Sequence, residues 1–445
     1  MRLSPRRLVL YFILSGWLTA CAFGPDLSYV DSSLSAGAVG RGATAPSLTL
    51  LRTSFGQRIK QAVENNPSLA ESESRYKRAT ATEEAARGAF LPQVNLGLSA
   101  RSQRSDSDLA NFTPYVRISQ LVYDGGVASS ELTAAKARVL ESRGDQLQTG
   151  SAIALAAIEA YVSVLSRREI FNISVRNVEV HEDILHQITE RSSLGAGSTA
   201  DVMAARSRMA DAQTRLADAR ARIDRAEAQF RDIFGQQAGD LSKPAKAPKL
   251  TRTDTEIVVN SPQVRRADAA LLAAKADLTA ALARRRPGVE LAAFADRDDD
   301  DDTDFGIDLS VNYELDSTGQ RRASISAAET RVSEAEFARE TLIRDIRREL
   351  DFIRSDQQAG AKRLQAAKIA AKANEDSVEA ARAQFTIGRR SLIEILDAQR
   401  DYVNAQERLI LADQNFFLTN YAALSLTGDI LDLLGLGVVT QGARQ

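Results

Sequence analysis

The chain has 445 residues, of which 44% are apolar, 26% charged and 6% aromatic, which is the composition of a folded protein. Its 57 Lys and Arg against 59 Asp and Glu exclude a strongly basic nucleic-acid footprint. A single Cys excludes a disulfide framework and a cysteine-based zinc site, and two His exclude a histidine-rich metal centre.

At the N-terminus Arg2, Arg6 and Arg7 precede an apolar run, 8–18, that ends in Leu18-Thr19-Ala20-Cys21. A basic segment, a short apolar segment and small residues before a break form a secretory signal, and the run is too short to span a bilayer comfortably. Leu-Thr-Ala-Cys also resembles the bacterial lipobox, in which Cys21 is acylated and becomes the first mature residue. An ordinary signal peptide with a chance Cys is the other reading. Several acyl chains, at about 0.8 kcal/mol per buried methylene, make a firm anchor. Ala22 stands where inner-membrane retention signals carry Asp, so the resemblance implies sorting to the outer membrane. Loss of 1–20 removes three Arg and no acid, lowering the net charge from −2 to −5. No further stretch of about 18 apolar residues is expected, so any membrane crossing falls to strands closed into a barrel.

The remainder repeats itself. Asn66-Pro67 is matched by Ser261-Pro262, and Pro92-Gln93-Val94 by Pro287-Gly288-Val289, both at an offset of 195. Asp124-Gly125-Gly126 is matched by Asp316-Ser317-Thr318-Gly319. Leu194-Gly195 is matched by Ile387-Gly388, and Gly235 by Gly428, both at 193. A duplicated unit of about 190 residues is far longer than a solenoid repeat. The organisation expected is a leader (1–20), an extension after Cys21 (21–46), a first repeat (47–240), a linker (241–253), a second repeat (254–436) and a tail (437–445).

Each unit opens with a helix, 47–88 and 254–285, ended by a Pro. Two strands follow. Val94, Leu96, Leu98 and Ala100 alternate with polar or small residues, as do Phe305, Ile307, Leu309, Val311, Tyr313 and Leu315, which predicts strands with one apolar face. Their partners are expected at 112–123 and 289–296. Long helices then run over 127–192 and 320–385, about 66 residues or roughly 100 Å each. Gly144 and Gly150 are candidate bends in the first. After a Gly-containing turn a return helix carries a heptad seam: Val202, Ala205, Met209, Ala212, Leu216, Ala219, Ile223, Ala226, Phe230 and Ile233. The second copy reads Ile395, Ala398, Tyr402, Ala405, Leu409, Ala412, Phe416, Thr419, Ala423 and Leu426. Four strands cannot close around a lumen, so copies of the chain must share them.

This order, given twice, resembles the TolC-type outer-membrane channel family. The residues that carry the likeness are Asn66-Pro67, the run from Gln120 to Gly126, and two tips, from Gly195 to Val202 and from Gly388 to Gln399. The likeness covers roughly 47–436. It implies a mainly α protein with a trimeric twelve-stranded membrane β-barrel, continued by an α-helical coiled-coil tunnel across the periplasm. The implied partners are a second and third copy, a periplasmic adaptor (membrane fusion protein), an inner-membrane transporter (ABC exporter or proton-driven pump) and outer-membrane lipid.

No phosphate loop and no HExxH appear, so neither enzymatic activity nor a cofactor is expected. His181 and His186, five apart, read as solvated surface residues and not as ligands. The resemblance puts function at the tips. It implies a gate link between Asp201 and Arg390, with Phe385 where a Tyr hydroxyl would help and Ala200 where a Thr would. It also implies an acidic constriction of Glu394 and Asp397, favouring cations. The bland reading of those two is surface charge near a helix N-terminus. Leu194, Gly195, Gly197, Ile387 and Gly388 would meet the adaptor. Asp298, Asp299, Asp300, Asp301 and Asp302 lack the spaced ligands, Gly and Glu of an EF-hand, and read as a solvated extracellular loop, with divalent-ion binding by the crowded carboxylates as the other reading and no defined metal site.

The second tip and tail look closest to the type I protein-secretion branch. The lipobox and the residues after it resemble the branch serving proton-driven drug efflux. Type I secretion is favoured because the tip match is longer and lies where partners dock. A periplasmic adaptor or a lipid-anchored coiled-coil scaffold is the alternative of another class. An adaptor would carry one hairpin with Gly-rich β domains, and a scaffold would not alternate over 305–315.

Overall fold

The computed structural model describes residues 26–28, 30, 48–101, 111–195, 197–248, 253–297, 303–387 and 389–436. Cys21, Gly388 and Asp298 to Asp302 lie outside them. The first repeat contains α1 (Leu48–Arg52), α2 (Ser54–Glu64), α3 (Pro67–Gly88), β1 (Gln93–Arg101), β2 (Asn111–Tyr123), α4 (Val127–Ser193) and α5 (Thr199–Phe234). The second contains α6 (Asp254–Asn260), α7 (Pro262–Ala283), β3 (Gly288–Arg297), β4 (Thr303–Asn312), α8 (Gln320–Thr386), α9 (Leu392–Thr427) and α10 (Asp429–Leu433).

The long helices, return helices and strands fall where periodicity puts them, with three refinements. The opening helix of each repeat is broken before Pro67 and Pro262, which sit at the first helical position where the missing N–H costs nothing. The residue before Pro is disfavoured in the α region, and Ser261 accordingly has ψ 133°. β4 stops at Asn312, so Tyr313 and Leu315 extend the apolar alternation past the paired strand. α4 runs unbroken through Gly144 and Gly150. A Cβ on Gly144 would lie 2.8 Å from that of Arg266, so this glycine serves close helix approach.

The expectation that no other apolar stretch exists is corrected. α4 holds an 18-residue window of mean hydropathy 1.4, by length and composition enough to cross a membrane. That window is 56% buried against protein, the mark of a core helix in a helical bundle.

Two compact units are present, and each draws on both repeats. The strand-bearing unit includes Ser72–Gln146 and Gln263–Ile343. Its sheet has the antiparallel order β1-β2-β3-β4, leaving β1 and β4 as edges. Register aligns Val94 with Ile118, Leu96 with Val116, Ala293 with Ile307, and Leu291 with Leu309 on one face. That face is exposed: Leu96 by 76%, and Phe305 and Ile307 by 80% each. The opposite face is mostly polar, with Arg117 and Asp308 paired at 3.5 Å and the rings of Tyr115 and Phe294 among them. Gly97 lies opposite Tyr115 and Gly306 opposite Phe294, each glycine facing an aromatic ring that a Cβ would strike at 2.3 Å. These pairs pin register in both hairpins. At the strand-to-helix turns Asp124 accepts from the N–H groups of Gly126 (2.9 Å) and Ala128 (2.6 Å), and Asp316 from those of Arg321 (3.1 Å) and Arg322 (3.0 Å). Gly125, at φ 72°, hosts the turn against Arg286.

The other unit includes Ala36–Glu71, Leu147–Pro262 and Arg344–Gln445. Its aromatic centre joins both repeats: Phe55 meets Tyr161 edge-on at 4.9 Å and Tyr421 at 6.3 Å, and Phe230 stacks on Phe234 at 4.0 Å. The buried tyrosines hold the linker in place. Tyr161 donates to the Ser242 carbonyl (2.9 Å) and Tyr421 to that of Ala245 (2.8 Å). Burial pushes the Tyr421 hydroxyl pKa far up, so it stays a donor.

Candidate functional site

The tips are built by local chain chemistry. After α4, Gly195 takes φ 77° and Ser198 caps α5 by accepting from the Ala200 N–H. After α8, Ser391 caps α9 in a full capping box with Glu394. Glu394 Oε2 accepts from the Ser391 N–H at 3.0 Å, so this carboxylate is engaged at the helix start. Leu194 and Ile387, equivalent in the two repeats, project apolar side chains that are 78% and 64% exposed.

Behind the tips the four helix ends share one apolar core. Ile184 and Ile188 of α4, Val202 and Ala205 of α5, Ala381 and Phe385 of α8, and Leu392, Ile395 and Leu396 of α9 pack together. Phe385, expected at the gate link, is buried in this core, with the Arg191 guanidinium 4.9 Å from its ring centroid. Further along, Ile170 and Ile173 of α4 meet Val403 and Ile410 of α9. The predicted seam of α5 is mostly buried, whereas α9 buries Leu396, Gln399, Val403 and Ile410 beside its expected seam. α9 packs on α4 of the other repeat, and a single-seam pattern cannot express that second contact.

Polar ties cross between the hairpins. Arg208 of α5 reaches Asp397 of α9 at 3.4 Å, and Asp397 also meets Arg400 at 3.2 Å. One heptad along both helices, Arg215 donates to Asn404 Oδ1 at 2.9 Å. Gln399 Nε2 donates to the Asn177 Oδ1 at 3.3 Å, and Arg382 donates to the Gln399 Oε1 at 3.0 Å. Arg390 and Asp201 form no ion pair with one another among the described residues of one chain. Arg208, Asn177 and Gln399 were missed by sequence reasoning. Arg208 to Asp397 and Arg215 to Asn404 share a separation of 189 residues, whereas Asn177 and Gln399 are 222 apart, so no single repeat offset of the sequence marks all of these contacts.

The expectation of two solvated histidines is corrected for His181, which is 6% exposed. Its Nδ1 sits 2.8 Å from the Asn177 carbonyl oxygen, one helical turn back. Burial lowers its pKa, as do Arg208 and Arg215, against the raising effects of the Asn177 bond and Asp211. His186 is exposed as expected. Among the described residues no group of His, Cys, Asp and Glu could hold a metal.

Long helical hairpins joined to strands with one outward apolar face define a class, the outer-membrane channel proteins, and comparison with known proteins agrees. The chain matches the outer membrane efflux protein family over 58–236 and 255–427 and belongs to it. It is 24% identical to the outer membrane efflux protein BepC of Brucella suis over 87% of this chain and 88% of BepC. It is 23% identical to TolC of Escherichia coli over 85% of this chain and 83% of TolC. A solved structure of CusC, 16% identical, superposes with a TM-score of 0.80 over 92% of this chain and 99% of that one. The chain is therefore an outer-membrane channel protein extending into the periplasm, and not an enzyme.

Proposed function

We propose that the chain forms, as a homotrimer, the exit duct of a tripartite export system. Twelve strands from three copies would remove the open edges of β1 and β4 and set the apolar face against lipid. That two-edged sheet, exposed apolar on one face and polar on the other, is the observation that carries the reading.

The helical hairpins would reach toward a periplasmic adaptor, which would dock on Leu194, Gly195, Gly197, Ile387 and Gly388, with an inner-membrane transporter behind it. Arg390 and Asp201, both partly exposed in one chain, would pair between copies at the closed end. Phe385 would contribute apolar contact to the gate, and three copies of Glu394 and Asp397 would ring the constriction. Cys21 would carry the lipid anchor, and Asp298 to Asp302 would lie at the outer mouth.

For cargo we favour type I protein secretion with an ABC exporter, on the likeness of the second tip and tail. The second reading is small-molecule efflux with a proton-driven pump. It is supported by the names of relatives such as the probable efflux pump outer membrane protein SepC of Pseudomonas putida, 23% identical over 79% of this chain. Purified protein in a planar bilayer should carry ion current, and absence of any current would overturn the duct. A gene deletion then separates the cargoes: loss of a secreted protein supports the first reading, and sensitisation to solvents and antibiotics with intact secretion supports the second.

A further inference from the structure

We propose that a cavity between α8 and α9 of the second hairpin binds a small amphipathic anion, an organic carboxylate or sulfonate with an apolar body. The site goes beyond the duct reading and does not depend on it. The cavity holds about 300 Å³, the small end of the range for ligand pockets. Its floor is apolar, built from Gly360 of α8 with Leu411, Ala412 and Phe416 of α9. A Cβ on Gly360 would lie 3.2 Å from the Phe416 ring, so the glycine lets that ring settle against α8. Its rim is charged, with Asp356, Arg363 and Arg408 around the floor. Arg363 meets Asp356 at 3.3 Å, and both side chains are more than half exposed. Among the described residues Arg408 makes no ion pair, which leaves the rim with one uncompensated guanidinium.

The duplication supplies an internal comparison. α4 and α8 begin 193 residues apart, as do α5 and α9, so each cavity residue has a counterpart in the first hairpin. Gly360 corresponds to Arg167, Arg363 to Ile170 and Phe416 to Ile223. Ile170 is buried and packs with Ile173, Val403 and Ile410, and Ile223 is buried as well. The first hairpin therefore uses aliphatic packing where the second places a guanidinium and a ring. Two arginines against one carboxylate select an anion, and a guanidinium grips a carboxylate or sulfonate through paired N–H bonds. The floor beneath accepts a ring or a short alkyl body, which an inorganic anion would leave unfilled.

The test uses the purified full-length protein in lipid nanodiscs, dialysed to equilibrium against naphthalene-2-sulfonate or the uncharged naphthalene-2-sulfonamide, with empty nanodiscs subtracted. The wild type should bind the sulfonate saturably and about fivefold or more tightly than the sulfonamide. Arg408→Gln should remove most of that preference while sulfonamide binding persists, and Arg408→Lys should keep part of it. Ala412→Leu, which fills the floor, should weaken both probes. No saturable binding by the wild type, or equal affinity for the two probes, would overturn the site. So would a full preference retained in Arg408→Gln. Conversion of the wild-type oligomer to monomers by Arg408→Gln on a native gel would also overturn it, assigning the cavity to an acidic side chain of a second copy.

Discussion

At the residue scale the tip region holds its information in partners. His181 is buried and neutral because desolvation and two nearby arginines disfavour its charge, and this makes stability depend on pH. A His whose folded pKa lies below its unfolded value binds its proton more readily when unfolded. Its penalty is absent well above the unfolded value near 6.5 and grows as pH falls through that value toward the folded one. Thermal unfolding followed between pH 7.5 and 5 should show a falling Tm in the wild type. The fall should be shallower in His181→Gln, and identical slopes would remove His181 as the cause. Phe385 poses a different case, since no hydroxyl is there to bond and the ring is buried among residues of all four tip helices. Phe385→Ala should cost about 3–5 kcal/mol of local stability through the cavity it leaves, read as faster protease cleavage at the tips.

At the element scale, legibility tracked how local the cause was. The long helices and the four strands were readable because period, Pro and Gly act within a few residues. Gly125 illustrates this: its φ of 72° and the Arg286 side chain against it leave no room for a Cβ. Gly125→Ala should cost about 1–3 kcal/mol and lower Tm, while Gly88→Ala, with open space around it, should not. What could not be read was whatever depends on two distant elements meeting. The shifted buried face of α9, the burial of His181 and the Arg208–Asp397 contact all arise from one repeat packing on the other. The heptad pattern of either repeat alone is consistent with several such dockings. The apolar window of α4 is interrupted by Ala and Ser, small residues that packing against neighbouring helices still buries, as at Ser151, Ala154, Ala157 and Ala160.

At the scale of the whole molecule, a single chain ends in two unpaired strands, and lipid tolerates no such edges. The exposed apolar face predicts that a charge there is penalised by the bilayer and not by the protein. Ile307→Arg should reduce insertion into lipid vesicles, with a cost of about 2–4 kcal/mol near the midplane, while leaving the helical content of the periplasmic part intact by circular dichroism. Edge closure itself can be trapped. Within one chain β1 and β4 are separated by β2 and β3, three strand spacings or about 14 Å, well beyond the roughly 7 Å that a disulfide can bridge between Cα atoms. A Cys at Leu96 combined in turn with a Cys at Ile307, Leu309 or Val311 therefore cannot form an intrachain bond in the folded sheet. If β4 of one copy pairs with β1 of the next, one of the three registers should oxidise to a covalently closed trimer on a denaturing gel, with Cys21 acylated or replaced. Ladders that stop at dimers or run past trimers would refute threefold closure, and monomers in all three registers would refute edge sharing.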